Sequence, residues 1–553
     1  MHANPTRDPA NVSAIGHSRT GWIHSRRLWI SVCSILCALL ATACIAAEYA
    51  IHHAEPILRK RVVETLSTRF QTQVQLEALH ISLFKGISAR GEGLVVPSIG
   101  PQGETRVPLL KVKSFEFRTS IRSLLRTPMH VDTVYVQGLE FRLPPKGERP
   151  KFSLSDQKKN SGKVSIFVDT IICTDAMLEI ETNKPNKVPL EFDISRLTLT
   201  NVGPGQPFHF LANLTNPKPV GDIAASGSFG PYQISSPSDT PVRGHYNFFH
   251  ADLSTTRGIT GILSSTGDFN GQLNNIVVDG ETDTPDFALD VSNHAVPLQT
   301  TFHAIVDGTN GDVTLDPVHA KLLHSTFTAH GSVTRTKGIP GHDIEMDVVM
   351  DHARIEDILT LGFKTTPPLM SGGLSMHAKL SLPPGKIRVA EKIHIEGNFG
   401  IFGATFSNEK MQDKIDMLSL RAQGKPKLAN PAGAADVNVP SQMTGSFKLG
   451  NGALTISNLQ YNLPGAQALL DGQYTMDGKT FEFYGMVRTK ARASQMTTGI
   501  KSGLLKPFDF IFAKNGAGTQ FPVKISGTKD TPRFGLDLHD KRTWQHPLPP
   551  PPQ

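Results

Sequence analysis

Cysteine is nearly missing from this chain. Of four cysteines in 553 residues, Cys33, Cys37 and Cys44 lie within one apolar run and only Cys173 lies outside it. No disulfide can form within the main part of the chain, and no zinc site built from cysteines is possible. Aromatic residues are 7% and charged residues 19%, which argues against a coiled coil and a disordered acidic chain. The net charge of +7 comes from scattered basic residues. There is no basic stripe interleaved with aromatics, so the pattern offers nucleic acid no footprint. A Gly-x-Ser-x-Gly elbow, a Walker loop and a His-Glu-x-x-His pair are all missing. The 21 histidines are dispersed, and the adjacent pair His52-His53 does not converge on one metal along a helix. Asp283, Asp286 and Asp290 could suggest calcium, but they surround Pro285 and Phe287 and lack a glycine-bearing loop, so a surface turn is the better reading. No catalytic, cofactor-binding or metal-binding residue is assigned, and the chain reads as a non-enzyme.

What is present begins with Leu28 to Ala47, twenty residues without a charge. At about 1.5 Å per residue such a run spans the roughly 30 Å hydrocarbon core of a bilayer. Arg19, Arg26 and Arg27 precede it, with no acidic residue between Asp8 and Glu48, although Arg59, Lys60 and Arg61 follow it. Long following domains translocate largely regardless of charge. The expectation is a signal anchor with a cytoplasmic tail at 1–27, a transmembrane helix at 28–47 and the bulk of the chain exported. A cleaved signal peptide ending at Ala41-Thr42-Ala43 competes, as does acylation at Cys44. The run's length favours retention, since a signal peptide's apolar core is about 7–15 residues.

A juxtamembrane amphipathic helix is expected over 52–72. Leu58, Val62, Leu66 and Phe70 repeat at i+4, and Pro56 suits its first turn. Arg59, Lys60 and Arg61 are candidates for contact with anionic lipid headgroups, with a solvated helix face as the alternative.

After Gln73 the period changes to two. A β region is expected over 73–152, a polar linker over 153–163 and a longer β region over 164–545, followed by an extended Pro-rich tail at 546–553. Ile344, Met346, Val348 and Met350 alternate with Glu345, Asp347 and Asp351, with Val349 the exception. Leu374, Met376, Ala378, Leu380 and Leu382 alternate with Ser375, His377, Lys379 and Ser381. Such alternation marks a sheet with one apolar and one wet face. A short helix is expected at His352 to Leu361 and another within Ala493 to Lys506. Gly280 to Asp290 and Gly527 to Asp537 match in register, which suggests a reused supersecondary unit.

Strands outnumber helices, so helices cannot cover the apolar faces. A closed sandwich, a barrel, or a long curved sheet holding lipid would each satisfy them. Several segments carry a resemblance: Pro56 to Glu64, Val74 to Gly86 and Gly91 to Leu94 after the anchor, then Ala353 to Leu359, Pro367 to Gly372, Leu382 to Gly385, and Phe521 to Gly527 with Pro532 and Phe534. In that order they resemble the AsmA family of bacterial envelope proteins; residues about 150–340 match less distinctively. The resemblance implies a mainly β fold: a single N-terminal transmembrane helix followed by an elongated, curved, taco-like antiparallel β-sheet groove with few short helices, related to TamB and chorein-type lipid bridges. It implies a single-pass bacterial inner-membrane protein with its amino terminus cytoplasmic and its bulk periplasmic, handling phospholipid for outer-membrane lipid homeostasis or biogenesis. Its implied partners are phospholipids, the inner membrane and outer-membrane assembly components. The groove candidates are then Ile344, Met346, Val348, Met350, Leu374, Met376, Ala378, Leu380 and Leu382. The alternative is a scaffold for outer-membrane proteins that pairs through free strand edges, and the third reading, a hydrolase, lacks a convergent polar site.

Overall fold

Strands with one apolar and one polar side hide half their side chains and satisfy their backbone only by pairing. The computed structural model describes short stretches between 37 and 67 and most of 72–536. Within 72–536 it leaves out 83–86, 100–104, 120–128, 144–165, 182–185, 188, 204, 234–235, 365, 430–438, 476–479, 499–517 and 529–530. Among the described residues the fold is mainly β, one sheet of 24 strands with few helices.

The first part contains β1 (Ala78–Ser82), β2 (Ile87–Ile99), β3 (Thr105–Thr119), β4 (Met129–Leu143), β5 (Ile166–Ile180), β6 (Leu190–Val202), β7 (Phe208–Pro217), β8 (Val220–Phe229) and β9 (Pro241–Asp252). The middle contains β10 (Ile259–Thr260), β11 (Ile262–Gln272), β12 (Asn275–Leu289), β13 (Val296–Asp307), β14 (Asp312–Leu322), β15 (Ser325–Arg335) and β16 (His342–Arg354). The last part contains β17 (Met370–Leu382), β18 (His394–Phe406), β19 (Ser441–Gly450), β20 (Ala453–Leu463), β21 (Ala466–Thr475), β22 (Phe481–Thr489), β23 (Thr519–Gly527) and β24 (Pro532–Leu536). Three helices, α1 (Ile355–Gly362), α2 (Val389–Lys392) and α3 (Glu409–Ala422), interrupt the later strands.

Each strand pairs with its neighbour in sequence, except that β9 pairs with β11 and the two-residue β10 pairs only with the far end of β12. Every pairing is antiparallel but one. β4 and β5 run parallel, and the connection 144–165 supplies the length that a parallel pair requires. No pairing joins β1 to β24 among the described residues, so the ladder is open there; at the β1 end the Ile81 amide donates to Glu55 Oε1 at 3.0 Å.

The sheet bends because its ladder is repeatedly offset. From β8 to β21 every pairing except β11–β12 and the two-residue β10–β12 contains a register shift, for example between Leu315 and Val318 or Met350 and Ala353. A β-bulge bends its strand and increases local twist. Repeated across neighbours, bulges turn a flat sheet into a trough. One rim carries the turns at Gln272–Asn275, Asp307–Asp312 and Arg335–His342, and the other those at Leu289–Val296 and Leu322–Ser325.

The rims meet with an offset. Lys187, in the β5–β6 turn, donates to Asp312 Oδ1 at 3.0 Å, and the Lys337 amide donates to the Asn186 carbonyl. Arg257, after β9, donates to the Lys386 carbonyl at 3.1 Å. The rings of Phe363, after α1, and Tyr474, in β21, lie 5.8 Å apart. From β6 to β14, and from β9 to β17, is seven ladder steps, since β10 stands outside the ladder. Tilted strands wrapping a tube produce such a stagger.

Helices fill gaps at one rim. Ile355 and Ile358 of α1 pack against Met350, Leu374 and Met443. The buried Asp357 accepts from the His324 amide at 3.0 Å and the Ser325 hydroxyl at 2.7 Å. α3 begins at the Asn408 cap, whose side chain accepts from the Met411 amide at 3.0 Å. Its buried Asp416 accepts from the Val439 amide at 2.9 Å and from Gln412 Nε2 at 2.8 Å.

The helix expected at His352 to Leu361 is present as α1. Within Ala493 to Lys506 only a 3-10 turn, Ala493–Met496, falls among the described residues. The echo is not a repeated unit. Its first copy lies in the single bulged strand β12, whereas its second spans the turn from β23 to β24. Proline without an N–H is tolerated at a bulge as well as in a turn, so one sequence pattern serves both. Two aspartates of the first copy bind backbone, Asp286 Oδ1 accepting from the Ile262 amide at 2.8 Å and Asp290 Oδ2 from the Gly258 amide at 2.9 Å, while Asp283 Oδ1 accepts from Gln299 Nε2 at 3.2 Å.

The anchor at 28–47 lies largely outside the described residues. Among those described, no helix is long and apolar enough to cross a membrane. The tail at 1–27, the linker at 153–163 and the segment at 546–553 lie outside the described residues altogether.

Candidate functional site

The register builds an unbroken apolar row along one face. Starting at β1, directly opposed residues run Ile81, Ala89, Phe117, Val134, Ile171, Leu199, Phe210, Gly227, Gly244, Phe269 and Val278. The same line continues through Ala304, Leu315, Gly331, Met346, Leu380, Ile395, Leu449, Leu454, Tyr474 and Phe481 to Gly527. The Tyr474 hydroxyl is its only polar side-chain group. At about 4.8 Å per strand the line is on the order of 100 Å long.

Both strands that supplied the groove candidates contribute to this face. Ile344 opposes Leu382, Met346 opposes Leu380, Val348 opposes Ala378 and Met350 opposes Met376, while Leu374 opposes Ala353. Met350, Leu374 and Ala378 are buried; Ile344, Met346, Val348, Met376, Leu380 and Leu382 are half-buried and keep surface toward the trough. Around β4–β12 the face closes on itself, as Ile180 packs with Val242 and Leu273 from the opposite ends of later strands.

Hydroxyls on the inner face satisfy one another. Tyr246 Oη and Ser265 Oγ lie 3.0 Å apart, and the Thr282 and Thr300 hydroxyls 2.7 Å apart. Burial pushes the Tyr246 phenol up, with the Ser265 hydrogen bond opposing. Burial also pushes Tyr461, bonded to Ser441 at 2.8 Å, up to about 12.

The start of the trough is capped by helical residues between 55 and 67. Val62 and Val63 pack on Leu76, Leu79 and Ala89, and Leu66 packs on Val74 and Val96. Arg59, a headgroup candidate, donates through Nε to the Leu76 carbonyl at 2.9 Å. Lys60 is exposed, whereas Arg61, Leu58 and Phe70 lie outside the described residues.

Comparison with protein-family models, curated proteins and solved structures finds no match.

The opposite face is charged. His245, Asp268, Asp279 and His303 oppose one another in one line across β9 to β13, and His330, Asp347, Lys379, Glu396 and Lys448 do so across β15 to β19. Histidine–aspartate contacts of 3.0 Å (His245–Asp268), 2.7 Å (His303–Asp279), 2.6 Å (His330–Asp316) and 2.7 Å (His377–Asp347) tie the strands together. Slipping one strand by one residue would place these charges on the apolar face, so they also fix register.

The wet face also holds a cleft that the sequence reading missed. It measures about 870 Å³ and stretches from Asn247 and Phe249 on β9 to Val349, Asp351 and His352 on β16. Val349, the exception to the alternation, points here.

Proposed function

We propose that this chain is a non-enzymatic, membrane-anchored protein that shields phospholipid acyl chains in its apolar β trough and conducts them along it. The observation that carries this reading is the register line from Ile81 to Gly527, an apolar row crossing the sheet from β1 to β23 with half-buried side chains along its later part. At about 0.8 kcal/mol per CH2, two chains of roughly sixteen carbons cost more than about 20 kcal/mol to expose to water. An apolar trough removes most of that cost, and the charged outer face keeps the protein in solution. The resemblance of the chain's ends to the AsmA family supports the same reading: an anchor in a bacterial inner membrane, a cytoplasmic amino terminus and a periplasmic trough serving outer-membrane lipid homeostasis. The edge strand β24, which pairs only with β23 among the described residues, supports a second reading, a scaffold that pairs with strands of outer-membrane proteins.

The test is mass spectrometry of the full chain purified in detergent. Near-stoichiometric co-purifying phospholipid is expected. A lipid-free protein that cross-links β-barrel precursors instead would favour the scaffold.

A further inference from the structure

The wet-face cleft is unused by a lipid carrier. Two adjacent register rows form it across seven strands, β9 and β11 to β16, one running through Glu281 and Thr301 and the other through Asp283 and Lys321. Seven strands at about 4.8 Å spacing give a floor about 30 Å long. We propose that this cleft binds a linear polysaccharide free of anionic groups, laid across the strands.

The shape suits a polymer. Each strand offers a polar position about 4.8 Å from the next, a repeat close to the length of one pyranose ring, so successive sugars meet equivalent positions. The lining suits hydroxyls, because Thr301 donates and accepts while the carboxylates accept two hydroxyls at once. Among the described residues the Glu281 and Asp351 carboxylates have no hydrogen-bond or ion-pair partner. Three carboxylates, Glu281, Asp283 and Asp351, stand against one lysine, Lys321, a balance that repels phosphates, nucleic acid and acidic glycans. Phe249, 44% exposed at the β9 end, offers a ring face to the C–H side of a sugar. An extended peptide gains its affinity from free backbone groups at a sheet edge. Here the floor lies within the sheet, where the ladder already pairs the backbone.

Isothermal titration of the full chain in detergent micelles with cellohexaose, chitohexaose, polygalacturonate and tetralysine tests this. At least one uncharged hexasaccharide is expected to bind, while polygalacturonate does not. The E281Q/D351N double variant and F249A should each weaken binding at least tenfold without changing co-purified phospholipid, a readout of the other face and of intact folding. Failure of both hexasaccharides to bind, equal binding by the variants, or preference for tetralysine overturns the proposal. Each of these results is independent of whether the trough carries lipid.

Discussion

Leu380 and Ala378 are two residues apart on β17 and point into the same trough, yet a carboxylate at each should have opposite consequences. Leu380 is half-buried between Met346 and Ile395. Ala378 is 4% exposed, and its Cα lies 2.8 Å from where a Cβ on the opposing Gly397 would stand. A bound acyl chain completes the half-finished burial of Leu380, worth about 1 kcal/mol, and against an aspartate it would also have to desolvate a carboxylate, together about 1.5–3 kcal/mol. At about 1.4 kcal/mol per tenfold, Leu380→Asp should weaken lipid retention roughly ten- to hundredfold, while the new carboxylate reaches water and the fold survives. Ala378→Asp instead buries a charge without a partner, costing several kcal/mol against a total stability of about 5–15 kcal/mol. Phospholipid per mole by mass spectrometry, together with a thermal melt, separates the two. If Leu380→Asp unfolds like Ala378→Asp, the later strands enclose a solid interior; if it folds and keeps its lipid, the trough is not where the lipid sits.

Asp416→Ala removes the acceptor for the Val439 amide and Gln412. It should lower stability in urea by about 2–4 kcal/mol, and an unchanged midpoint would refute α3's role as a plug. Gly244→Ala brings a Cβ to 2.2 Å from the Ser226 carbonyl on the neighbouring strand, so the melting temperature should fall and β8 and β9 should exchange amide hydrogens faster. Burial raises the Cys173 thiol from its ordinary 9.0 to about 11, and Tyr461 from 10.0 to about 12. In each case the folded chain holds a proton that the unfolded chain has released. Their contribution is complete below about pH 9 and is lost as pH rises through 11 to 12, so melting temperature should drop through that window. Native Cys173 should also resist iodoacetamide at pH 8 in peptide mapping; rapid labelling would contradict its burial.

Alternation made the later strands legible before any fold was known. Ile344 to Met350 and Leu374 to Leu382 do share one face, because a period of two leaves no other arrangement once strands pair. The wet partners were legible for the same reason. α3 was overlooked although Asn408 and the spacing of Met411, Ile415 and Leu418 signal it. Bulges were not legible, since a register shift depends on the partner strand rather than on the bulged one. Nothing local announces Lys187 beside Asp312, 125 residues apart, because the offset arises from bending accumulated over several strands. The cleft was hidden likewise: its lining residues come three at a time from seven strands, and no one strand's share stands out in the sequence.

Where the rims touch with a seven-step stagger, a hairpin's reach decides whether its tip arrives opposite its counterpart. Girth is therefore governed by the number of residues in each strand, and span by how many hairpins are strung together. A chain of this kind could be extended by inserting hairpins without altering its calibre, whereas adding two residues to a single hairpin would disturb the fit at one place only.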